Sequence, residues 1–198
     1  MGGYMSTISA STTSTTAYKV TADTTGTLVL QTGATPTTAL TIDASQNITT
    51  ANKFAKASMP AGTVLQVVTA STTTSTNTAS TTAVDSTLTA TITPTSNTSK
   101  ILVMVNQSVG KQTAATSSTT VTLVRGSTTI TTIVAYALYT GVTTPIYGVS
   151  VSNNYLDSPA TTSATTYKTQ FFCGTASGDA MTQPNNSLST ITLMEIAA

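Results

Sequence analysis

The residues that could carry out chemistry are few in this chain. Six acidic residues are spread over 198 positions and there is no histidine, which removes the usual general base, the Ser-His-Asp triad and most zinc and copper sites. A carboxylate pair brought together by the fold could still hydrolyse a glycosidic bond. However, Asp23, Asp43 and Asp157 lie in predicted turns, where Asp often accepts hydrogen bonds from its own backbone. We therefore expect no catalytic residues and no enzyme activity.

Other reactive or ligand-binding patterns are missing as well. Cys173 is the only cysteine, and its strand phase with Phe171 favours a small buried side chain over a nucleophile. The stretches RGST and GTASG lack the spacing of a phosphate-binding loop, and no DxDxDG run supplies clustered oxygen ligands for calcium. We expect no cofactor and no metal.

The composition favours an all-β protein. Charged residues make up 7% of the chain, against about 25% in typical domains, and threonine accounts for about a quarter of all positions. The branched threonine side chain disfavours helices and suits a sheet surface, while a net charge of +1 is unlike that of most disordered chains. The seven basic residues are scattered, so we expect no nucleic-acid partner. No segment approaches the roughly 18 apolar residues of a membrane-spanning helix, so we expect no membrane insertion.

The N-terminal quarter has strand patterns but little to bury. Residues 1–16 are of low complexity and predict a flexible or partner-ordered arm. Residues 17–50 alternate in short strands, and about 35 residues of this kind cannot form a core alone. We therefore predict a short β shaft or attachment module that packs against copies of itself. The predicted trimer contacts are Tyr18, Leu28, Leu30, Leu40 and Ile42, together with Met194 and Ile196 in a C-terminal strand that is apolar on both sides.

Residues 51–61 are predicted to be a linker with one helical turn, and residues 62–198 an antiparallel β-sandwich. Clean alternation in Ser86–Thr93 predicts a half-buried strand. Lys100–Asn106 is apolar on both faces, which places it in a covered sheet or a subunit interface. Thr120–Leu138 predicts a hairpin that turns near Arg125–Ser127. About eight short strands without a sustained helix period indicate a sandwich or a jelly roll.

Loops rich in Asn, Gln, Ser and Tyr are the remaining candidates for a binding surface. Hydroxyl, amide and aromatic groups are the groups that bind sugars, and stretches rich in them occur at 107–118, 139–144, 153–155 and 174–186. The competing interpretation is that these are ordinary polar loop tips. The candidate receptor-contact residues in these loops are Tyr139, Asn153, Asn154, Tyr155, Asn185 and Asn186.

Several phrases of the chain resemble a known family. MPAGTVLQVV, SKILVMV, LVRGST, YLDSPATTSATTYK and STITLMEIAA, which together span about 59–198, resemble the C-terminal domain of fibre-like proteins of marine bacteriophages. The upstream piece, 17–49, is similar to the short β modules that precede such domains. The resemblance implies a homotrimeric fibre or spike on the virion surface, with a slender attachment part and a β-sandwich, and it carries over no catalytic residue.

The partners expected from the resemblance are further copies of the chain, other virion proteins of the capsid or tail, and a glycan or protein of the host cell surface. No secretory signal precedes residue 17, and assembly in a host cytoplasm followed by lysis fits that absence. No long tail-attachment domain lies there either, which leaves open a capsid-bound head fibre or decoration protein. Two other classes are a threonine-rich ice-binding protein, for which no constant repeat extends along the chain, and a polysaccharide depolymerase, which the scarcity of acids disfavours.

Overall fold

The computed structural model describes residues 27–32, 37–50, 59–112, 116–176 and 178–198. The chain divides into two compact units, Met1–Phe54 and Ala55–Ala198, and this division falls inside the predicted linker. The predicted arm, the contact residue Tyr18 and the helical turn within 51–58 lie outside the described residues.

The first unit contains a three-stranded antiparallel sheet. Its strands are β1 (Leu28–Thr32), β2 (Thr37–Ile42) and β3 (Ile48–Thr50), in the order β1-β2-β3. Asp43 shapes the β2–β3 turn as predicted, because its carboxylate accepts hydrogen bonds from the backbone N–H groups of Ser45 and Asn47.

The leucine and isoleucine side chains of this sheet share one face. Leu28 pairs with Ile42 and Leu30 with Leu40, and Ile42 pairs in turn with Ile48. Leu28, Leu40 and Ile42 are half-buried, whereas Leu30 and Ile48 are exposed. The predicted strands are confirmed, and the sheet by itself leaves part of its apolar face uncovered.

The second unit is an antiparallel β-sandwich, and its described part contains no α-helix. Its strands are β4 (Val64–Thr72), β5 (Thr76–Thr78), β6 (Val84–Ile92), β7 (Lys100–Lys111), β8 (Thr119–Arg125), β9 (Thr128–Ala137), β10 (Ile146–Asp157), β11 (Thr165–Cys173), β12 (Ala180–Thr182) and β13 (Ser189–Ile196), with a 3-10 turn at Pro184–Asn186.

The strand order is that of a jelly roll. One sheet contains β4, β13, β7 and β10 in that order, and the other contains β6, β11, β8 and β9. The short strands β12 and β5 extend the first sheet, because β12 pairs with β7 just beyond the part of β7 that pairs with β13. The chain crosses between the two sheets at almost every connection, as in other double-sheet jelly rolls.

The core lies between the inward faces of the two sheets. Leu88, Ala90 and Ile92 of β6 face inward, in the phase predicted for Ser86–Thr93. In β11 the inward face carries Tyr167, Thr169, Phe171 and Cys173, all fully buried. Cys173 packs in an apolar cluster, so its prediction as a small buried side chain is confirmed. The hairpin of β8 and β9, with its turn at Gly126 and Ser127, is confirmed as well.

Two loop predictions are wrong. Residues 107–111 continue strand β7, which is twelve residues long, because they pair with residues 146–151 of β10. Asn153, Asn154 and Tyr155 lie in the middle of β10 rather than in a loop. The hydrophilic composition of these segments suggested loops, but residues 107–111 are buried on both faces of β7, and residues 153–155 alternate between a half-buried and an exposed face of β10.

β-bulges interrupt the regular pairing of β9 and β10. Register shifts between β8 and β9 insert single extra residues into β9 at three points. As a result Ile130, Ile133, Val134 and Ala137 all reach the core, although their spacing is not that of a flat strand. A further shift places Tyr147 and Gly148 opposite the single residue Gly110. A bulge adds a residue, bends the strand and re-aims side chains.

At Gly110 the surrounding atoms leave no room for a side chain. A Cβ atom there would lie 2.9 Å from the carbonyl oxygen of Ile146 and 3.2 Å from Cγ of Pro184. We expect Gly110→Ala to lower the free energy of unfolding by about 1–3 kcal/mol through overpacking, measured by urea denaturation followed by circular dichroism. Gly141→Ala is the matched control, since no atom lies within 4 Å of its Cβ position, and it should change stability by less than about 0.5 kcal/mol. Equal unfolding midpoints for both variants would contradict this packing.

Candidate functional site

The described residues contain no assembly of catalytic or metal-binding groups. No three His, Cys, Asp or Glu side chains among them lie close enough to hold a metal ion. Within the same residues, no helix has the length and apolar character to cross a membrane. The acids instead take part in separate hydrogen-bonded clusters.

Asp157 anchors a buried cluster at one end of the sandwich. Its carboxylate accepts two hydrogen bonds from Nη1 of Arg125, at 2.9 and 2.7 Å, and one from the Tyr167 hydroxyl at 2.6 Å. The three residues come from β10, β8 and β11, so the cluster ties the two sheets together. Asp157 was predicted to lie in a turn, and the structure shows that it ends β10 as a buried ion-pair partner.

The pKa values of Tyr167 and Arg125 in this cluster are both raised. Burial, with the hydrogen bond to the Asp157 carboxylate, raises the pKa of Tyr167 well above that of a free phenol. The bond to Asp157 likewise raises the pKa of Arg125. Because neither proton is available near neutral pH, the cluster suits a structural role rather than acid–base catalysis.

Glu195 forms a second buried cluster. Its carboxylate accepts hydrogen bonds from the backbone N–H and hydroxyl of Thr95, at 2.7 and 2.6 Å, and from Nε2 of Gln66 at 2.6 Å. Burial alone would raise the pKa of Glu195, but these bonds outweigh that effect and leave the pKa below its usual value. Glu195 therefore remains a carboxylate that fixes the β6–β7 loop against β13 and β4.

The third carboxylate lies at the surface. Asp85 pairs with Lys168 at 2.8 Å and accepts a hydrogen bond from Gln170, and these contacts lower its pKa. Asp85, Asp157 and Glu195 thus each have their own, separate hydrogen-bond partners.

The outer face of the sandwich sheet formed by β4, β13, β7 and β10 carries a line of apolar side chains. Val67 of β4, Met194 of β13, Leu102 of β7 and Leu156 of β10 are direct neighbours across four strands. We call this line the apolar row. Val67 and Leu156 are about half exposed, at 52% and 51%. Met194 is thus part of a continuous apolar line, and Ile196 lies next to it on the same face.

Polar rows follow the apolar row on the same face. The next row is Thr69, Thr192, Met104 and Asn154, and the one after it is Ser71, Thr190, Asn106 and Ser152. These rows line a shallow groove. Asn154, predicted to contact a receptor, faces outward in this groove, whereas Tyr155 points the other way and packs against the core. Across these three rows no side chain carries a charge.

The other predicted contact residues lie on three different elements. Tyr139 is exposed in the connection between β9 and β10, Asn153 is half-buried in β10, and Asn185 and Asn186 are exposed in the 3-10 turn after β12. Sequence reasoning missed the apolar row except for Met194, because only the strand register shows that Val67, Leu102 and Leu156 are its neighbours.

Comparison with known proteins assigns no family to this chain. No family model matches the sequence, and no curated protein matches it significantly. The resemblance of 59–198 to phage fibre domains therefore stays a prediction drawn from the quoted phrases, and function is argued below from the surface itself.

The Asp157 cluster predicts a strong effect of one hydroxyl group. Tyr167→Phe removes a buried hydrogen bond to a charged acceptor, so we expect the free energy of unfolding to fall by about 1.5–3 kcal/mol in urea denaturation. Tyr155→Phe is the control, because within the described residues the Tyr155 hydroxyl makes no hydrogen bond and its loss should be nearly neutral. A Tyr167→Phe protein as stable as the parent would refute the proposed anchor.

The Glu195 cluster predicts acid sensitivity. Because the folded pKa of Glu195 is lowered, its contribution to stability is complete above the unfolded pKa of about 4.3 and is lost as pH falls through the folded pKa. We expect Glu195→Gln to lower stability at pH 7 by about 1.5–3 kcal/mol and to weaken the decline in stability at low pH, measured by urea titrations from pH 7 to pH 3. Asp85→Asn, at an exposed pair, should cost less than about 1 kcal/mol. An unchanged pH profile in Glu195→Gln would contradict the assignment.

Proposed function

We propose that this chain is a non-enzymatic bacteriophage virion protein: a homotrimeric fibre or spike, bound to the capsid or tail, that displays its β-sandwich for attachment to a host surface. The observation that carries the proposal is the apolar row on a sheet face whose neighbouring rows are uncharged. The quoted phrases of 59–198 add the comparison with phage fibres as a resemblance.

The chemistry of this face suits contact with another copy of the chain. Interface cores are depleted of charged side chains and enriched in Met and other large apolar groups. Along β7, the charged residue nearest the apolar row is Lys100, two residues before Leu102 and opposite Ile196 of β13. Lys100 would lie at the rim of such an interface. Antiparallel sheets commonly have one face that is exposed to water and covered with polar side chains. A line of four aliphatic and thioether side chains across such a face would be shielded from water by a partner.

The small N-terminal sheet supports the same proposal independently. Leu28, Leu30, Leu40, Ile42 and Ile48 lie on one face of only three short strands. So small a sheet buries too little apolar surface to be stable by itself. Further copies of the same sheet, as in a trimeric shaft, would cover that face.

The oligomeric state provides the direct test. We expect light scattering of the purified chain to give the mass of three copies. Met194→Lys places a charge in the middle of the apolar row and should weaken or abolish the trimer, while circular dichroism shows that the sandwich remains folded. Thr132→Lys, at an exposed position of β9 in the opposite sheet, is the control and should leave the mass unchanged. A parent protein that is a stable monomer would overturn the proposal.

The place on the virion separates two forms of the proposal. Density for the sandwich at the tail in an electron cryomicroscopy map would indicate a tail fibre or spike. Density on the shell would indicate a head fibre or decoration protein whose N-terminal segment binds the capsid. Absence of the chain from purified virions would contradict both forms.

A further inference from the structure

Three exposed tyrosines lie at one end of the sandwich, around the connection between β9 and β10. They are Tyr136, Tyr139 and Tyr147, and each exposes about half or more of its surface. Tyr136 and Tyr147 both lie in β-bulges, opposite Thr120 and Gly110 respectively. The two bulges are near each other, because the Thr119 hydroxyl donates a hydrogen bond to the Gly110 carbonyl. Bulges occur often beside functional sites, where they redirect a side chain.

Tyr136 has an unfavourable backbone conformation for a bulky residue. Its φ is +54°, in the left-handed region that costs a residue with a Cβ atom about 1–3 kcal/mol. The Thr120 hydroxyl accepts a hydrogen bond from the Tyr136 N–H at 3.2 Å and so helps to hold this conformation. The consequence is that the ring points out of the sandwich, with 58% of the residue exposed.

The Tyr136 ring packs against the backbone of Gly174. A Cβ atom at Gly174 would lie 2.7 Å from Cε1 and 2.8 Å from Cδ1 of that ring, and nearer still to Oγ of Ser118, so the ring packs directly on the Gly174 backbone. Any larger residue at 174 would displace it. The ring is thus held against the protein on one side and open to solvent elsewhere, which is the arrangement of an aromatic platform.

Tyr139 extends the platform along the next turn. Its N–H donates a hydrogen bond to the Tyr136 carbonyl at 3.3 Å, so the two residues close one tight turn, and Tyr139 is 59% exposed. From residue 126 to residue 156 the chain contains no Asp, Glu, Lys or Arg. The Lys111 side chain reaches the same connection, where its Nζ donates a hydrogen bond to the Val142 carbonyl, but Lys111 is fully buried and exposes no charge there. The hydroxyl-bearing residues Thr143 and Thr144 are exposed in the same connection.

We propose that Tyr136 and Tyr139 form a binding site for a neutral glycan, with a sugar ring stacked on the Tyr136 ring. Tyrosine offers an apolar face and a hydroxyl on one rigid side chain, which matches the apolar C–H face and hydroxyl rim of a pyranose. The missing charge favours an uncharged polysaccharide over a sulfated or carboxylated one. This inference rests on the proposed host-surface attachment and names its ligand class.

A protein partner fits this end of the molecule less well. Ala137 and Leu138, which lie between Tyr136 and Tyr139, pack against the core and do not join the two rings into a larger apolar patch. A stable protein contact usually buries about 800 Å² on each side, and the apolar row on the other surface is better suited to that role. A sugar chain needs only one or two rings for stacking.

Affinity electrophoresis tests the site with defined probes. Native gels are cast with dextran, laminarin, galactomannan, xylan or, as the anionic counterpart, dextran sulfate. We expect at least one neutral polysaccharide to retard the intact parent protein, and Tyr136→Ala to weaken that retardation at least about tenfold, as for an aromatic residue that dominates a contact. Tyr136→Phe should keep most of the binding, because it keeps the ring. The chain has no tryptophan, so a change in tyrosine fluorescence on titration gives a second readout.

Matched controls make each outcome decisive. Leu188→Ala truncates another highly exposed side chain, on the connection to β13, and should leave retardation unchanged. Gly141→Ala, in the same connection as Tyr139, should also leave retardation unchanged, because no atom lies within 4 Å of its Cβ position. Retardation by no neutral polysaccharide, by dextran sulfate alone, or equally in the parent and Tyr136→Ala would overturn the inference. Light scattering of the same samples keeps this result separate from the trimer, since a trimer without glycan binding would refute the site alone.

Discussion

Burial of alternating apolar side chains between two antiparallel sheets is the interaction on which the rest of this structure depends. Most inward-facing positions of β6, β7, β11 and β13 are taken by an aliphatic, aromatic or small side chain, with Gln107, Lys111 and Glu195 as buried polar exceptions, and threonine is frequent on the outward faces of β6 and β13. Threonine keeps the preference for extended backbone while its hydroxyl meets water. A surface almost without charge follows from that substitution, and it leaves shape and hydroxyl chemistry as the means of recognition.

Two buried carboxylates hold neighbouring segments of the sandwich together. Asp157 joins three strands through Arg125 and Tyr167, and Glu195 fixes the β6–β7 loop through Thr95 and Gln66. A buried carboxylate is tolerated because each of its oxygens is hydrogen-bonded. In a protein with six acids, two are used in this way.

The two surfaces of interest arise from opposite features of the sheets. The apolar row depends on regular pairing, which aligns Val67, Met194, Leu102 and Leu156 across four strands. The tyrosine platform depends on irregular pairing, since an extra residue in β9 turns Tyr136 outward and an absent side chain at Gly174 makes room for its ring. One surface is suited to copies of the chain and the other to a small, neutral ligand. Because they lie on different parts of the sandwich, both can be occupied together.

The sequence by itself determined the all-β class, most strand positions, the β8–β9 hairpin and the inward face of β11. These follow from local preferences: branched side chains, alternation of period two and Gly or Asp at turns. It did not show that Asn153–Tyr155 continue a strand, that Asp157 is a buried ion-pair partner, or that Tyr136 faces outward. Only the tertiary structure decided these points, because they depend on pairing between segments distant in the chain and on register shifts, which no local pattern encodes. The apolar row has the same origin, since its four members come from strands separated by up to about 130 residues and become neighbours only when the sheet forms.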